Sequence, residues 1–510
     1  MNEVLLGVDV GTTGCKSVAY TLDGTEVAKS YREYRLHHPN PLWVEEDPEE
    51  WWDAVVQTTR SVVESARAKQ YEVIAAGVSC TNALVCVDAS GNPLLPAIMQ
   101  LDQRSEPQAR WIREHIGAER VFAITGNRIA AGSYSAPIIR WIQDNLPEVY
   151  SRVHKFLVPT GFVVQRLTGE FTMDFSRACT TMLFDIRQRA WSTALCDDFA
   201  IDTGKLPPLF SSSTVVGRIT EQAAKLTGLK PGVPVVAGSV DTVSAAIGAG
   251  AIHQAQTCGV LGTVARFCIV TGGSRFDDRM LNFCHGTPQG WLTAAAINAA
   301  GASLRWFRDT LFQMEAAAAV EQGISPFDLM TREAETAAPG AGGLLYLPYL
   351  AGERSPLWNG NARAVIYGLT LSHNRADIIR CFLEGIGYAV RHNLEIMERE
   401  YGVSFDGITL AGGGAKSRLW RQIIADILKA EVRIPETLET EALGSALLAG
   451  AGCGAYSNLE LAVQRAVRIV DSVSYDAQRA RRYDRMFAGY LACVDHFSSK
   501  FDELCCTIQG

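Results

Sequence analysis

The stretch Leu5–Gly24, LLGVDVGTTGCKSVAYTLDG, decides the fold class. Leu5 to Val10 is apolar and β-branched apart from Gly7 and Asp9, and Gly11-Thr12-Thr13-Gly14 makes a tight turn. Lys16 to Leu22 continues as a second strand and turns again at Asp23-Gly24. Strand, glycine turn, strand predicts a β-hairpin. The second strand excludes two common phosphate loops. A Walker A loop opens a helix after G-x-x-x-x-G-K-[ST], and a dinucleotide fingerprint also needs a helix. Here Gly11-x-x-Gly14-x-Lys16-Ser17 runs into a strand. Two readings remain. Either the tip amides and threonine hydroxyls hold phosphate oxygens, with Asp9 placed for a Mg²⁺ shell, or this is an ordinary hairpin with a strand-end acid.

The rest of the chain sets the frame. A length of 510 residues predicts roughly two to four domains, each able to bury a core. Apolar content of 47% and charged content of 20% are those of a globular protein. A net charge of −8 with no compensating Lys/Arg run excludes nucleic acid and anionic membrane as main partners. Thirteen scattered cysteines without a C-x-x-C pair read as reduced thiols, and no basic leader precedes the first strand. The expected location is the cytoplasm.

Asp47-Pro48 starts a helix carrying Trp51, Val55, Val62 and Val63 at helical spacing. Strands come next at Val73–Val78 and Ala83–Val87, around Ser79-Cys80-Thr81-Asn82, and Asp102 and Arg104 come just after another apolar run. Strand ends leading into loops are where α/β proteins put their sites. Ser133 to Gly169 reads as helical, ending in a short apolar helix, FLVPTGFVVQRLTG; after it lies a loop-rich stretch with Asp174, Ser176 and Thr181. A strand at Val233–Ala237 then runs into GSVDTVSAAIGAGAI, and a domain boundary is expected near residue 250.

The second half repeats the theme. CGVLGTVARFCIVTGG is again strand, Gly262-Thr263 turn, strand, which suggests an internal duplication. LTAAAINAAG enters a helix at Gly301, LLYLPYL is an apolar strand, and a long amphipathic helix spans about 375–400. ITLAGGGAKSRLWRQIIADIL reads strand, triple-glycine loop, helix; ETEALGSALLAGAGCGAY is a small-residue helix, and 474–497 a closing one.

Three glycine loops after strands, Gly11–Gly14, Gly262-Thr263 and Gly412-Gly413-Gly414, point to a nucleotide cleft, although each alone reads equally as a turn. Asp241 comes after a strand and heads a helix of small residues. It reads either as a helix cap worth ~1 kcal/mol or as a base for phosphoryl transfer, where positioning dominates. Asp102 with Arg104 reads as a hydroxyl-binding pair or as a surface ion pair.

With these residues placed, the chain resembles the FGGY family of carbohydrate kinases, and within it the xylulose kinase-like branch. The resemblance covers nearly the whole length. It rests on GVDVGTTGCKS, Asp102-Gln103-Arg104, AGSVDTVSAAIGAG, LGT, NAAGASLRWF, YLPYLAGERSPLWNGNARAVIYGLTLSHNRADIIRCFLEGIGY and LAGGGAKSRLWRQIIADIL. It implies an α/β fold of two actin-like (ribonuclease H-like) ATPase domains, 1–250 and 251–510, with ATP and sugar in the cleft between them. The first domain is expected to bind sugar and carry the phosphate hairpin and the catalytic aspartate, the second to bind the nucleotide.

By the same resemblance Asp241 is the catalytic base, and Asp9 organises Mg²⁺ through water. Gly11, Thr12, Thr13, Lys16, Gly262 and Thr263 lie near the ATP phosphates. Gly301, Gly412, Gly413, Gly414 and Ser417 lie beside the nucleotide. Asp102, Arg104, Asn82 and Asp241 face the sugar. Three departures concern the substrate: Cys80-Thr81-Asn82-Ala83 stands where xylulose kinases carry Q-M-H-G, Gln100 replaces a Trp, and Thr160-Gly161 replaces a Lys-Asp pair. The implied activity is ATP-dependent phosphorylation of a primary hydroxyl on a small sugar, foremost a ketopentose such as D-xylulose. The alternatives are a kinase for ribulose, erythritol or gluconate, and a non-kinase actin-like ATPase. The partners expected are the sugar and ATP, with a homodimer left open.

Overall fold

A computed structural model of the chain describes residues 2–504. It forms two compact units. One runs to His253 and takes in Val270–Leu292 and Glu439–Arg468; the other comprises Gln254–Ile269, Thr293–Leu438 and the chain from Ile469.

The first unit is built on strands β1 (Asn2–Val10), β2 (Gly14–Thr21), β3 (Glu26–Glu33), β4 (Tyr71–Cys80), β5 (Val215–Arg218), β6 (Pro234–Val236) and β7 (Ser239–Val240). Their order is β5-β6-β4-β1-β2-β3, with β7 also paired to β4. The predicted hairpin is β1–β2, antiparallel, with Asp9 opposite Lys16. β1 and β7 both run parallel to β4, and the register sets Asp9 and Ser239 on either side of Ser79. One row at the carboxyl ends of three parallel strands therefore carries Asp9, Ser79 and Ser239, and the chain leaves β7 directly into Asp241.

β1 is covered on both faces. Val4, Leu6, Val8 and Val10 join Trp51, Val55, Val62 and Val63 of the helix Pro48–Ala68 in one core. That helix starts where the sequence indicates: Asp47 caps it by accepting from the Glu49 amide at 2.9 Å, with Pro48 in its first turn. The other face of β1 meets the helix Thr440–Gly452, whose residues are buried almost all round. Gly7 and Gly77 are register partners on β1 and β4. A Cβ on Gly7 would collide with the Ala442 carbonyl, and one on Gly77 with the Ser445 carbonyl. The same helix meets Asp241–Gly248 through Gly444, whose added Cβ would strike the Ser244 carbonyl.

The second unit's sheet is formed from β8 (Thr257–Leu261), β9 (Ala265–Thr271), β10 (Trp291–Ile297), β11 (Gly407–Ala411), β12 (Glu431–Pro435) and β13 (Ile469–Val473). Their order is β10-β9-β8-β11-β12-β13. β8 is antiparallel to β9 and parallel to β11. The series β10-β9-β8-β11 matches β3-β2-β1-β4, which is the structural form of the repeated Gly-Thr hairpin. The long helix is Arg375–Tyr401, opened by a capping box between Asn374 and Asp377.

Three local expectations are corrected. Lys155–Leu157 is a strand paired with Ala83–Val87, and helix starts only at Pro159, a residue suited to a first turn. The apolar run at 344–350 is a strand only over Leu345–Leu347, because Pro348 cannot donate to a ladder. The closing helix begins at Ala477, where Asp476 caps it. Among the described residues no helix is long and apolar enough to cross a membrane.

An exposed helical Gly→Ala change gains roughly 1 kcal/mol in propensity. Gly444→Ala has the opposite sign here, because the new methyl has to displace the Ser244 carbonyl. Urea unfolding is expected to show a loss of roughly 1–3 kcal/mol in the transition of the first unit.

Candidate active site

The strand-end row of the first unit gathers acids. The Ser79 hydroxyl donates to Asp9 Oδ1 at 2.7 Å. Burial pushes the Asp9 carboxyl up to about 7 from its ordinary 3.8, Glu441 and Asp241 add to the rise, and Ser79 and Lys16 oppose it. Glu441 stands in the first turn of the helix Thr440–Gly452, so the seat of that helix on Gly7 and Gly77 delivers it to Asp9. The Lys16 ammonium bonds to the Glu439 carboxylate, which Lys29 also approaches at 3.4 Å. Burial pulls the Lys16 ammonium down, but the Glu439 bond and the acids around it outweigh that and hold it above its ordinary value.

At the hairpin tip the Gly11 amide donates to the Gly14 carbonyl at 3.0 Å, and the Thr12 and Thr81 hydroxyls share a hydrogen bond of 3.0 Å. Thr13 is exposed beside them. The cap reading of Asp241 does not hold: Val240 is the capping residue and Asp241 is the first residue of the helix. Its Oδ1 accepts from the Thr242 amide at 2.7 Å and the Thr242 hydroxyl at 3.1 Å. This half-buried carboxylate is thereby oriented by its own first turn.

Asp102 and Arg104 are not a surface pair: they are 0% and 8% exposed. Arg104 Nε and Nη2 grip the Asp102 carboxylate at 2.8–2.9 Å, and the Val44 amide donates to Asp102 Oδ2 at 2.7 Å. The guanidinium also pairs with Glu45 at 2.7 Å and lies 3.9 Å over the Trp43 ring. Asn82 is half-buried. Its Nδ2 donates to the Ser133 carbonyl at 2.8 Å, and its Oδ1 accepts from Thr180 Oγ1 at 3.2 Å and Arg177 Nη1 at 3.4 Å.

The glycine loops of the second unit surround a cavity of about 440 Å³. Gly262, Thr263, Gly301, Gly413, Gly414 and Ser417 line it together with Phe327, Met330, Ile379 and Leu383. This is the size and mixed character of a small-ligand pocket. The turn at Gly262-Thr263 is stitched to the helix Gly301–Leu311, because the Gly301 and Ala302 amides donate to the Gly262 and Thr263 carbonyls at 3.0 Å. A Cβ on Gly301 would stand 2.5 Å from the Gly262 oxygen. Gly412 is not on the wall; with φ of 84° it turns the chain beneath it, against the Leu261 backbone.

Sequence reasoning missed Glu441, Arg305 and the wall formed by Ser325, Phe327 and Asp328. Arg305 Nη2 donates to Thr263 Oγ1 at 3.1 Å and lines the cavity. Its place one turn after Gly301 was the available signal.

Residues 4–248 match the N-terminal domain of the FGGY family of carbohydrate kinases, and residues 239–453 match its C-terminal domain. The chain belongs to the FGGY family. It is 32% identical over 498 residues to a xylulose kinase of Staphylococcus epidermidis, covering 96% of each chain. It is 31% identical over 455 residues to a gluconokinase of Bacillus subtilis, covering 88% of this chain and 87% of that one. Its fold superposes on the crystal structure of a xylulose kinase from Rhodospirillum rubrum with a TM-score of 0.89 at 27% identity, across 98% of this chain and 100% of that one. This FGGY kinase is an ATP-dependent carbohydrate kinase with the mixed α/β, two-domain fold of its family.

Because the native state holds the Asp9 proton up to about 7 and the unfolded chain only to the ordinary 3.8, stability falls as pH rises between those values. Asp9→Asn carries no such slope. In EDTA at pH 8 the variant is expected to be more stable than wild type by about 1–3 kcal/mol, and the gap to close by pH 4. Thermal melts across pH check both ends.

Proposed function

We propose that this FGGY kinase transfers the γ-phosphoryl group of ATP to a primary hydroxyl of a small neutral linear sugar, foremost a ketopentose such as D-xylulose. The observation that carries this reading is Asp241, which leaves β7 at the strand-end row and lies close enough to Asp9 to raise its carboxyl. A group there is suited to accept the hydroxyl proton. The alcohol oxygen then bonds to the γ-phosphorus while the bond to the ADP oxygen breaks, so a sugar phosphate and ADP form and the proton rests on Asp241. A loose transition state leaves most of the catalysis to positioning and charge.

Each unit has its own share of the work. In the first, Asn82, Asp102, Arg104 and Asp241 serve the sugar, and Gly11, Thr12, Thr13 and Lys16 the phosphates. In the second, Gly262, Thr263 and Gly301 serve the phosphates, and Gly413, Gly414 and Ser417 the nucleoside, with Gly412 turning the chain beneath them. The apolar residues of the cavity suit an adenine face. Asp102 acts by fixing Arg104, since its own oxygens are already bonded.

The residues present fit Mg²⁺. No group of three His, Cys, Asp or Glu among the described residues is set to hold a metal. Mg²⁺, however, keeps several waters and needs only one or two carboxylates beside nucleotide phosphates. Asp9, raised by burial among Glu441 and Asp241, stands in surroundings that a cation would stabilise, and would hold it through water. Bound there, the ion supplies positive charge to the phosphoryl oxygens.

The likeness to gluconokinase favours a second reading, an aldonate substrate. A carboxylate substrate asks for an unspent cation, and the Arg104 and Arg177 guanidiniums are engaged. Arg104 is held by Asp102 and Glu45, and Arg177 by the Thr81 carbonyl and Asn82. Composition, scattered cysteines and charge support a cytoplasmic enzyme.

Asp241→Asn is expected to lower kcat by ~10²–10⁴-fold while the Kd for ADP stays within threefold. Steady-state kinetics with calorimetry of ADP binding decides it, and turnover within threefold of wild type removes Asp241 as the base.

A further inference from the structure

Four residues of the loop-rich stretch, Asp174 to Arg177, form a turn with bonds to two other parts of the first unit. Asp174 Oδ1 accepts from the Ser176 amide at 2.8 Å, from the Arg177 amide at 3.1 Å and from the Ser176 hydroxyl. With its proton committed to Asp174, Ser176 Oγ accepts from the Val240 amide at 2.9 Å. Val240 is the residue immediately before Asp241. Next in the turn, Arg177 donates from Nη2 to the Thr81 carbonyl at 2.6 Å and from Nη1 to Asn82 Oδ1 at 3.4 Å. The side chains doing this are buried, with Asp174 1%, Ser176 0% and Arg177 0% exposed.

β7 is only two residues long, so its own ladder with β4 is short. A strand that brief does little to hold the first residue of the helix after it. The Ser176 hydroxyl adds a fixed point at the last strand residue, and its partner is 64 positions away in sequence. A simple N-terminal cap of the short helix Phe175–Ala178 needs only the bonds from the Ser176 and Arg177 amides to Asp174. The bond to Val240 is additional to that cap, and so is the Arg177 grip on the neighbouring strand end.

We propose that Ser176, with its hydroxyl oriented by Asp174, is a positioning residue that holds Val240 and thereby aims the Asp241 carboxylate at the reacting hydroxyl. This rests on Asp241 being the base. The link is orienting: Ser176 exchanges no proton with substrate, and its removal changes how often Asp241 is correctly placed. Its effect therefore falls on kcat and leaves nucleotide affinity alone.

A double-mutant cycle tests it. Ser176→Ala is expected to lower kcat 10–100-fold with the KM for ATP within twofold, and Ser176→Thr, which restores a hydroxyl, to return within threefold of wild type. In an Asp241→Asn background Ser176→Ala is expected to cost less than twofold more. A Ser176→Ala kcat within twofold of wild type overturns the proposal. So does a loss that persists in full without Asp241, or a threonine variant no better than alanine. An Asp241→Asn enzyme as fast as wild type overturns the base reading instead, and the two failures are told apart. Should Ser176→Ala not fold, Asp174→Asn carries the same cycle, because it keeps the turn's shape and weakens the hold on the hydroxyl.

Discussion

The first unit depends on backbone lying directly on backbone. The helix Thr440–Gly452 rests where β1 and β4 have no side chains, at the paired glycines Gly7 and Gly77, and crosses the helix Asp241–Gly248 at Gly444. No other residue fits at these points without moving a carbonyl. The seat explains why a segment so late in the chain belongs to the first unit. It also sets the electrostatics: with the helix this close, Glu441 acts on Asp9, and Ser445 meets the Ser244 hydroxyl at 3.0 Å in the first turn and a half of the helix Asp241–Gly248. Close packing of this kind trades helix propensity for precision of placement.

That placement concentrates negative charge. Asp9, Asp241 and Glu441 stand near one another, and the nearest ammonium, on Lys16, is already bonded to Glu439. The consequence for Asp9 is a carboxyl raised by burial first and by its acidic neighbours second. Such a site costs folding stability and gains most from a cation placed among its carboxylates. Strain of this sort is expected at a functional site.

The local grammar of the chain was readable because it is local. Alternating apolar residues and a glycine turn identify β1–β2; Asp47-Pro48 marks a helix start; Gly262-Thr263 and Gly301 mark tight backbone that the structure brings into one cavity. What the sequence hid are relations across distance. Nothing near residue 441 says that it will face residue 9, because register and helix seating decide that. A D-x-R run carries no burial signal, so at Asp102 and Arg104 a hydroxyl-binding pair and a surface ion pair read alike, whereas Val44, Trp43 and Glu45 close over them. Asp174 and Ser176 were visible only as polar residues in a loop. Their bond to Val240 spans 64 positions.

The sugar is constrained by what is already spent. On the proposed sugar side the Asn82 amide is bound to Ser133, Thr180 and Arg177, while Arg104 and Arg177 hold carboxylate, carbonyl or amide partners. A neutral chain of hydroxyls asks for none of those charges; an aldonate does. ADP release measured against D-xylulose, D-ribulose, erythritol and D-gluconate is the most direct check. A neutral linear sugar is expected to stimulate ADP release, one phosphate ester formed per ADP, with gluconate near the sugar-free rate. Stimulation by gluconate alone, or by no sugar at all, would contradict it.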